Sequence, residues 1–125
     1  MTVERILLID DESDIRAIAS KFASNRVDIP DTLSKAEENL KTRKYDVILL
    51  DNNFKYYYSQ RENYSGIDLY RALKNGELGE LNQETSVFGI SNKNMPDVLT
   101  NFGKPYNEKE LKSILERVDE ILSAK

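Results

Sequence analysis

The chain contains neither cysteine nor histidine. Without cysteine it can form no disulfide, no thiolate nucleophile and no cysteine metal site. Without histidine it can hold neither a serine or cysteine triad with a histidine base nor a phosphohistidine of its own. Any phosphoryl group on this chain must therefore arrive from another molecule.

Positive charge is also scarce. The 18 Lys and Arg residues are outnumbered by 22 Asp and Glu residues, which gives a formal net charge of −4. Binding of nucleic acid without sequence preference needs a basic face that displaces counterions, so we expect no nucleic-acid partner. We expect no signal sequence before the first apolar run, and therefore a cytoplasmic protein with no membrane partner. The 125 residues suffice for one domain over residues 1–125, which acts locally or through a partner.

Two apolar runs end abruptly at carboxylates. The run Ile-Leu-Leu-Ile leads into Asp10 and Asp11, and the run Val-Ile-Leu-Leu leads into Asp51. Apolar runs without polar alternation are typical of parallel strands that are covered on both faces. In open α/β sheets, ligands bind at the carboxyl ends of such strands. The sequence therefore predicts one acidic site assembled from strand ends, with Lys104 and Pro105 as further members.

Helical and extended patterns alternate along the chain. Apolar residues at helical spacing predict helices over residues 13–25, 34–43, 66–75 and 107–122, and short apolar runs predict strands over residues 6–9, 27–29, 45–51, 85–90 and 99–102. We expect Ser34 and Glu37 to form a capping box, Asn107 to cap the last helix, and Asn75 with Gly76 to end the third helix. This alternation predicts an α/β protein with a parallel sheet and right-handed crossovers.

Five elements, in order, resemble the receiver domains of bacterial two-component response regulators. They are Ile-Leu-Leu-Ile-Asp-Asp-Glu at residues 6–12, Val-Ile-Leu-Leu-Asp at 47–51, Gly66-Ile-Asp-Leu at a helix start, Ser91 after the fourth apolar run, and Lys104-Pro105-Tyr106. The resemblance covers nearly the whole chain. It implies a flavodoxin-like, doubly wound sheet of five parallel strands in the order 2-1-3-4-5, which makes the first and third strands neighbours.

The resemblance also implies a phospho-acceptor site. Asp51 would take a phosphoryl group from the phosphohistidine of a partner histidine kinase or phosphotransfer protein. Lys104 and Ser91 would bind phosphoryl oxygens, and a cis peptide bond before Pro105 would aim the lysine into the site, as in the family. Such a domain promotes its own phosphorylation and dephosphorylation but is not an enzyme acting on a separate substrate; it signals by binding an output protein.

A divalent cation is expected at the same place. Close carboxylates repel one another by up to ~4 kcal/mol per pair at an effective dielectric constant of ~20, so the cluster needs neutralising charge. Mg²⁺ suits it because this ion prefers oxygen ligands and keeps several waters. By resemblance Asp11 and Asp51 are direct ligands, Asp10 acts directly or through a water, and the backbone carbonyl of Asn53 completes the set.

The stretch after Asp51 departs from the family pattern. Gly66 follows Asp51 by fifteen residues, a longer spacing than receivers usually have, so residues 52–65 form an enlarged loop with four tyrosines, Tyr56, Tyr57, Tyr58 and Tyr64. These tyrosines fit a docking patch, since tyrosine is enriched at interface cores, and they fit a local cover equally well.

The stretch before Lys104 is short. Only thirteen positions separate Ser91 from Lys104, which leaves no room for the fourth crossover helix of the family. Residues 92–98 would then connect the fourth and fifth strands as a bare loop. The switch aromatic of the family is replaced by Asn101, and Phe102, one place later, should point to the other face of the strand.

Three other functions compete with this one. A haloacid-dehalogenase type of enzyme needs a second aspartate two residues after the nucleophile, where this chain has Asn53. A flavodoxin needs a loop that receives an anion, which Asp10 and Asp11 would repel. A degenerate, receiver-like adaptor that binds partners without phosphorylation remains open, and a magnesium titration would distinguish it.

Overall fold

A parallel four-stranded sheet forms the centre of the molecule. The structure is a computed structural model and describes residues 5–23, 25–54 and 63–124. The strands are β1 (Ile6–Ile9), β2 (Val27–Asp28), β3 (Val47–Leu50) and β4 (Ser86–Gly89), in the order β2-β1-β3-β4. Every pair of neighbours is parallel. The predicted adjacency of the first and third strands is confirmed, so both end at the same edge of the sheet.

Helices cover both faces of this sheet. They are α1 (Ser13–Ala23), α2 (Leu33–Thr42), α3 (Gly66–Lys74) and α4 (Glu108–Ser123). Leu7 and Ile9 of β1 pack in a core with α2 and α3, whereas Ile6 and Leu8 pack in a second core with α1 and α4. Because both faces are buried, β1 and β3 carry apolar residues without polar alternation. No helix in the described part of the chain is long and apolar enough to cross a membrane.

The predicted fifth strand, residues 99–102, is only partly formed. The amides at the two ends of this segment donate to the carbonyls of Val87 and Gly89, at 3.2 and 2.9 Å. These acceptors are two residues apart on β4, but the donors are three residues apart, so the segment contains one extra residue, as in a β-bulge. Its pairing is therefore an isolated parallel bridge between Gly89 and Asn101. The prediction of five regular strands is corrected to four strands and this bridged segment.

A loop replaces the fourth crossover helix of the family, as predicted. Between β4 and α4, all of which is described, there is no helix. Met95 and Val98 from this loop are buried in the core that also contains α2 and α3. A Cβ at Gly89 would lie 3.0 Å from the Met95 sulfur, so the loop packs directly on β4. Two apolar side chains thus cover sheet surface that a helix would otherwise bury.

The helix ends agree only in part with the predicted caps. The Asn107 side chain accepts a hydrogen bond from the Glu110 amide at 2.8 Å, and Gly76 has a φ of 83°; both are as predicted. The capping box of Ser34 and Glu37 is wrong. The cap is Thr32, whose hydroxyl accepts from the Lys35 amide at 3.1 Å, and the earlier start lets Leu33 bury its side chain.

Candidate functional site

Three carboxylates meet where β1 and β3 end. Asp10 and Asp51 have no exposed surface and Asp11 is 2% exposed. The Asp51 amide donates to the Ile9 carbonyl at 2.9 Å, which continues the β1–β3 pairing to the edge of the sheet. One oxygen from each of the three carboxylates lies within 4.8 Å of the others. The structure thus brings together the acidic residues that the strand pattern predicted.

Lys104 lies between two of these carboxylates. Its Nζ is 2.7 Å from Asp10 Oδ2, 2.8 Å from Asp51 Oδ2 and 3.8 Å from Glu12 Oε1. Gly103, with a φ of 81°, turns the chain immediately before the lysine. The expected cis peptide bond before Pro105 is wrong, because the peptide bonds of the described residues are all trans. The lysine side chain reaches both carboxylates with a trans bond.

Burial changes the protonation of this group of residues. Desolvation, together with the charge of Asp51, raises the pKa of Asp10 to about 7, although hydrogen bonds from Lys104 and from the Glu12 amide oppose the shift. Desolvation alone would lower the pKa of Lys104, but its hydrogen bonds to Asp10 and Asp51 outweigh that effect and raise it. The lysine is therefore charged at neutral pH and holds the cluster together.

The oxygens of Asp51 have different environments. Oδ2 accepts from Lys104, whereas Oδ1 is buried and accepts no hydrogen bond among the described residues. A buried carboxylate oxygen without a donor is costly unless a cation or another electrophile approaches it. The three converging carboxylates form a donor set that fits a hard divalent cation.

Ser91 lies on the neighbouring strand end. The Ile90 amide donates to the Leu50 carbonyl at 3.0 Å, so Ser91 follows β4 at the edge where Asp51 follows β3. Its side chain is buried, and its hydroxyl accepts from the Lys93 amide at 3.0 Å. The site residues that follow β1, β3 and β4 therefore lie at one edge of the sheet.

The enlarged loop is closed at its base. The Asn52 backbone oxygen accepts from the Gly66 amide at 2.9 Å, and its Oδ1 accepts from the Ile67 amide at 3.0 Å. Asn53 is the next residue, and the role of its carbonyl as a cation ligand stays a prediction. The Tyr64 ring stacks on Phe54, with ring centroids 6.4 Å apart, which favours a covering role for this tyrosine. Residues 55–62, with the other three loop tyrosines, lie outside the described residues.

Sequence reasoning missed several contacts around the site. The side chain of Asn101 binds the backbone of Ser91, and the Arg16 guanidinium donates to the Asp10 carbonyl at 3.0 Å. The sequence pattern identifies Asn52 only as part of the loop. A helical position one turn after the acid pair could have indicated Arg16, but nothing in the sequence pairs Asn101 with Ser91, because that contact depends on the bulge.

Solved structures of receiver domains share this fold. The chemotaxis response regulator CheY4 of Vibrio cholerae has 20% sequence identity and a TM-score of 0.70, covering 94% of this chain and 99% of that one. A CheY-like receiver domain from Methylobacillus flagellatus has 16% identity and a TM-score of 0.66, with coverage of 94% and 99%. The receiver domain of a DNA-binding response regulator from Colwellia psychrerythraea 34H has 21% identity and a TM-score of 0.64, with coverage of 93% and 98%.

At the level of sequence there is no such match. No protein-family model matches the chain, and no curated protein does. The similarity therefore rests on the three-dimensional fold alone. By this evidence the chain has the fold of CheY-like response regulator receiver domains.

Proposed function

We propose that residues 1–125 form a receiver domain that accepts a phosphoryl group on Asp51. The observation that carries this proposal is the asymmetry of that carboxylate: Lys104 holds Oδ2, and the buried Oδ1 has no hydrogen-bond donor in the part of the chain that the structure describes. An oxygen without a donor keeps its lone pairs for an electrophile. Structural carboxylates in a core normally have both oxygens satisfied.

The proposed reaction is an in-line displacement at phosphorus. Asp51 Oδ1 forms a bond to the phosphorus of a phosphohistidine on a partner kinase or phosphotransfer protein, and the phosphorus–nitrogen bond breaks with its electron pair leaving on the imidazole. The Lys104 ammonium moves from the Asp51 carboxylate to a phosphoryl oxygen, which carries the negative charge after the transfer. The Ser91 hydroxyl donates to a second phosphoryl oxygen. Because Asp51 is fully buried, Lys104 or a neighbouring side chain must move before the donor can reach it.

A divalent cation, most suitably Mg²⁺, completes the proposed site. Asp10, Asp11, Asp51 and the Asn53 carbonyl would hold it, in keeping with the three carboxylate oxygens that lie within 4.8 Å of one another. When bound, the ion supplies positive charge that offsets the repulsion among the carboxylates and the incoming phosphoryl group. Lys104 alone provides one positive charge for three acidic side chains.

A second candidate is the adaptor that binds partners without phosphorylation. The observation that favours it is the bridging position of Lys104, 2.7 and 2.8 Å from two carboxylates that are both fully buried. Such an ion pair stabilises a closed site in the absence of metal. An adaptor would keep this closed form in the presence of Mg²⁺ and phosphodonors.

The deciding experiment is the intact mass after incubation with a small acyl-phosphate donor and Mg²⁺. We expect the mass of one phosphoryl group to be added to the wild type and none to Asp51→Asn. Asp11→Asn should bind Mg²⁺ more weakly and be labelled more slowly, because it loses an anionic ligand. An unchanged wild-type mass, together with no spectroscopic response to millimolar Mg²⁺, would favour the adaptor.

A further inference from the structure

The side-chain amide of Asn101 joins two segments of the site. Its Oδ1 accepts from the Ser91 amide at 2.9 Å and from the Gly103 amide at 3.4 Å. Its Nδ2 donates to the carbonyls of Ser91 and Lys93, at 3.0 and 2.9 Å. Donor and acceptor are thus both used, and they bind the turn that contains Ser91 from both sides.

This arrangement depends on a close approach to the end of β4. A Cβ at Gly89 would lie 2.7 Å from Asn101 Oδ1, so a residue with a side chain there would displace the amide. The bulge in the segment of residues 99–102 is what turns Asn101 towards the Ser91 turn, while the next residue, Phe102, stacks on Phe88 in the opposite core. Gly89 and Asn101 therefore act as a pair.

The side-chain amide of Asn101 also fixes the position of the Ser91 hydroxyl. The hydroxyl accepts from the Lys93 amide at 3.0 Å, and it keeps one proton for a second partner. Since Asn101 holds both the amide and the carbonyl of Ser91, as well as the carbonyl of Lys93, the turn is held in one conformation. The hydroxyl is then held at the edge of the sheet where β3 leads into Asp51.

We infer that Asn101 is a positioning residue for Ser91, and that its amide links the serine turn to the segment that leads into Lys104. This inference rests on the proposed phospho-acceptor function. Asn101 lies three residues before Lys104, so a shift of the lysine segment is transmitted to Ser91 through these hydrogen bonds. The hydrogen bonds of the Asn101 side chain are made to the backbone of Ser91, Lys93 and Gly103, so it acts through the serine turn.

The test is a double-mutant cycle on the rate of labelling by an acyl-phosphate donor with Mg²⁺. Asn101→Asp keeps the shape of the side chain but places a carboxylate oxygen against the carbonyls of Ser91 and Lys93. We expect it to slow labelling by about tenfold in the wild type and by less than about twofold in Ser91→Ala, because an effect that passes through Ser91 is lost with the hydroxyl. The affinity for Mg²⁺ should stay within about twofold in both backgrounds.

Two further variants control for charge and for folding. Asn92→Asp adds the same negative charge one residue after Ser91, and its loss of rate should be clearly smaller than that of Asn101→Asp. Asn101→Ala removes the hydrogen bonds without adding charge and should slow labelling in the same direction, with circular dichroism showing a folded protein. Equal losses in the wild-type and Ser91→Ala backgrounds would overturn the inference. An unlabelled wild type would instead refute the proposed function, and the inference with it.

Discussion

Gly66, the first residue of α3, packs against the backbone of Asp51. A Cβ at this position would lie 2.0 Å from the Asp51 carbonyl oxygen and 2.8 Å from the Asn52 Cα. Real side chains do not approach backbone atoms so closely, so the helix can begin here only with glycine. The start of α3 therefore packs directly on the backbone of the phospho-acceptor candidate, although the two residues are fifteen positions apart in the sequence.

Gly66→Ala should damage the site and the fold together. Either α3 or Asp51 must shift, and we expect the free energy of unfolding to fall by about 1–3 kcal/mol, as for other overpacked positions. Labelling of Asp51 should slow as well. The matched control is Gly79→Ala, at a φ of 85° with no atom within 4 Å of the added Cβ. It should lose stability through backbone strain alone and keep Mg²⁺ affinity. A labelling rate equal to that of the wild type in Gly66→Ala would contradict the prediction.

Lys104→Met should destabilise the metal-free protein. Breaking a buried ion pair leaves Asp10 and Asp51 without their hydrogen-bonded cation, at a cost of about 3–5 kcal/mol. Saturating Mg²⁺ should restore more stability to this variant than it adds to the wild type, because the ion replaces missing positive charge. Urea unfolding with chelator and with Mg²⁺ measures both effects. Lys93→Met, at an exposed lysine of the adjoining loop, should change stability by less than about 0.5 kcal/mol.

The stability of the metal-free protein should fall as the pH rises towards neutrality. The pKa of Asp10 is raised in the folded state to about 7, from an ordinary value of 3.8, so the folded protein binds the extra proton between these values. The contribution of this group is fully present below about pH 4 and is lost as the pH rises through 7, with a slope of at most about 1.4 kcal/mol per pH unit. Urea unfolding between pH 5 and 8 in the presence of chelator measures it. Asp10→Asn should remove most of that slope, and an unchanged slope would place the titration elsewhere.

A pair of substitutions at the start of α2 tests the corrected cap. Thr32→Ala removes the hydroxyl that accepts from the Lys35 amide and should cost about 1 kcal/mol. Ser34→Ala, two residues later on the exposed side of the helix, should change stability by less than about 0.5 kcal/mol. Thermal or urea unfolding of the two variants decides between the caps. The opposite order of effects would restore the capping box of Ser34 and Glu37.

The acidic site at the edge of the sheet was predictable because it follows from local sequence patterns. An apolar run that ends at Asp10 or at Asp51 already indicates a buried parallel strand and its carboxyl end. A sheet with neighbouring first and third strands then brings the two carboxylates together. Lys104 was placed by its resemblance to a family motif, and the structure puts its ammonium within 2.8 Å of both carboxylates.

The details that sequence reasoning missed depend on contacts between distant segments. The bulge beside β4 arises because a short loop must bury Met95 and still lead to Lys104, and no local pattern predicts the extra residue. The Asn101 contact follows from that bulge and from the absence of a side chain at Gly89. The Thr32 cap was missed because the burial of Leu33, a tertiary effect, decides where α2 begins.

The hydrogen bonds of Asn52 with the Gly66 and Ile67 amides hold together the two ends of the loop between β3 and α3. Closing a longer loop adds little entropy cost, since the cost grows only with the logarithm of the loop length. Length can therefore vary there while the ends of β3 and α3 keep their positions. A fluorescent or affinity module inserted into this loop should therefore leave the sheet and the carboxylates at its edge in place.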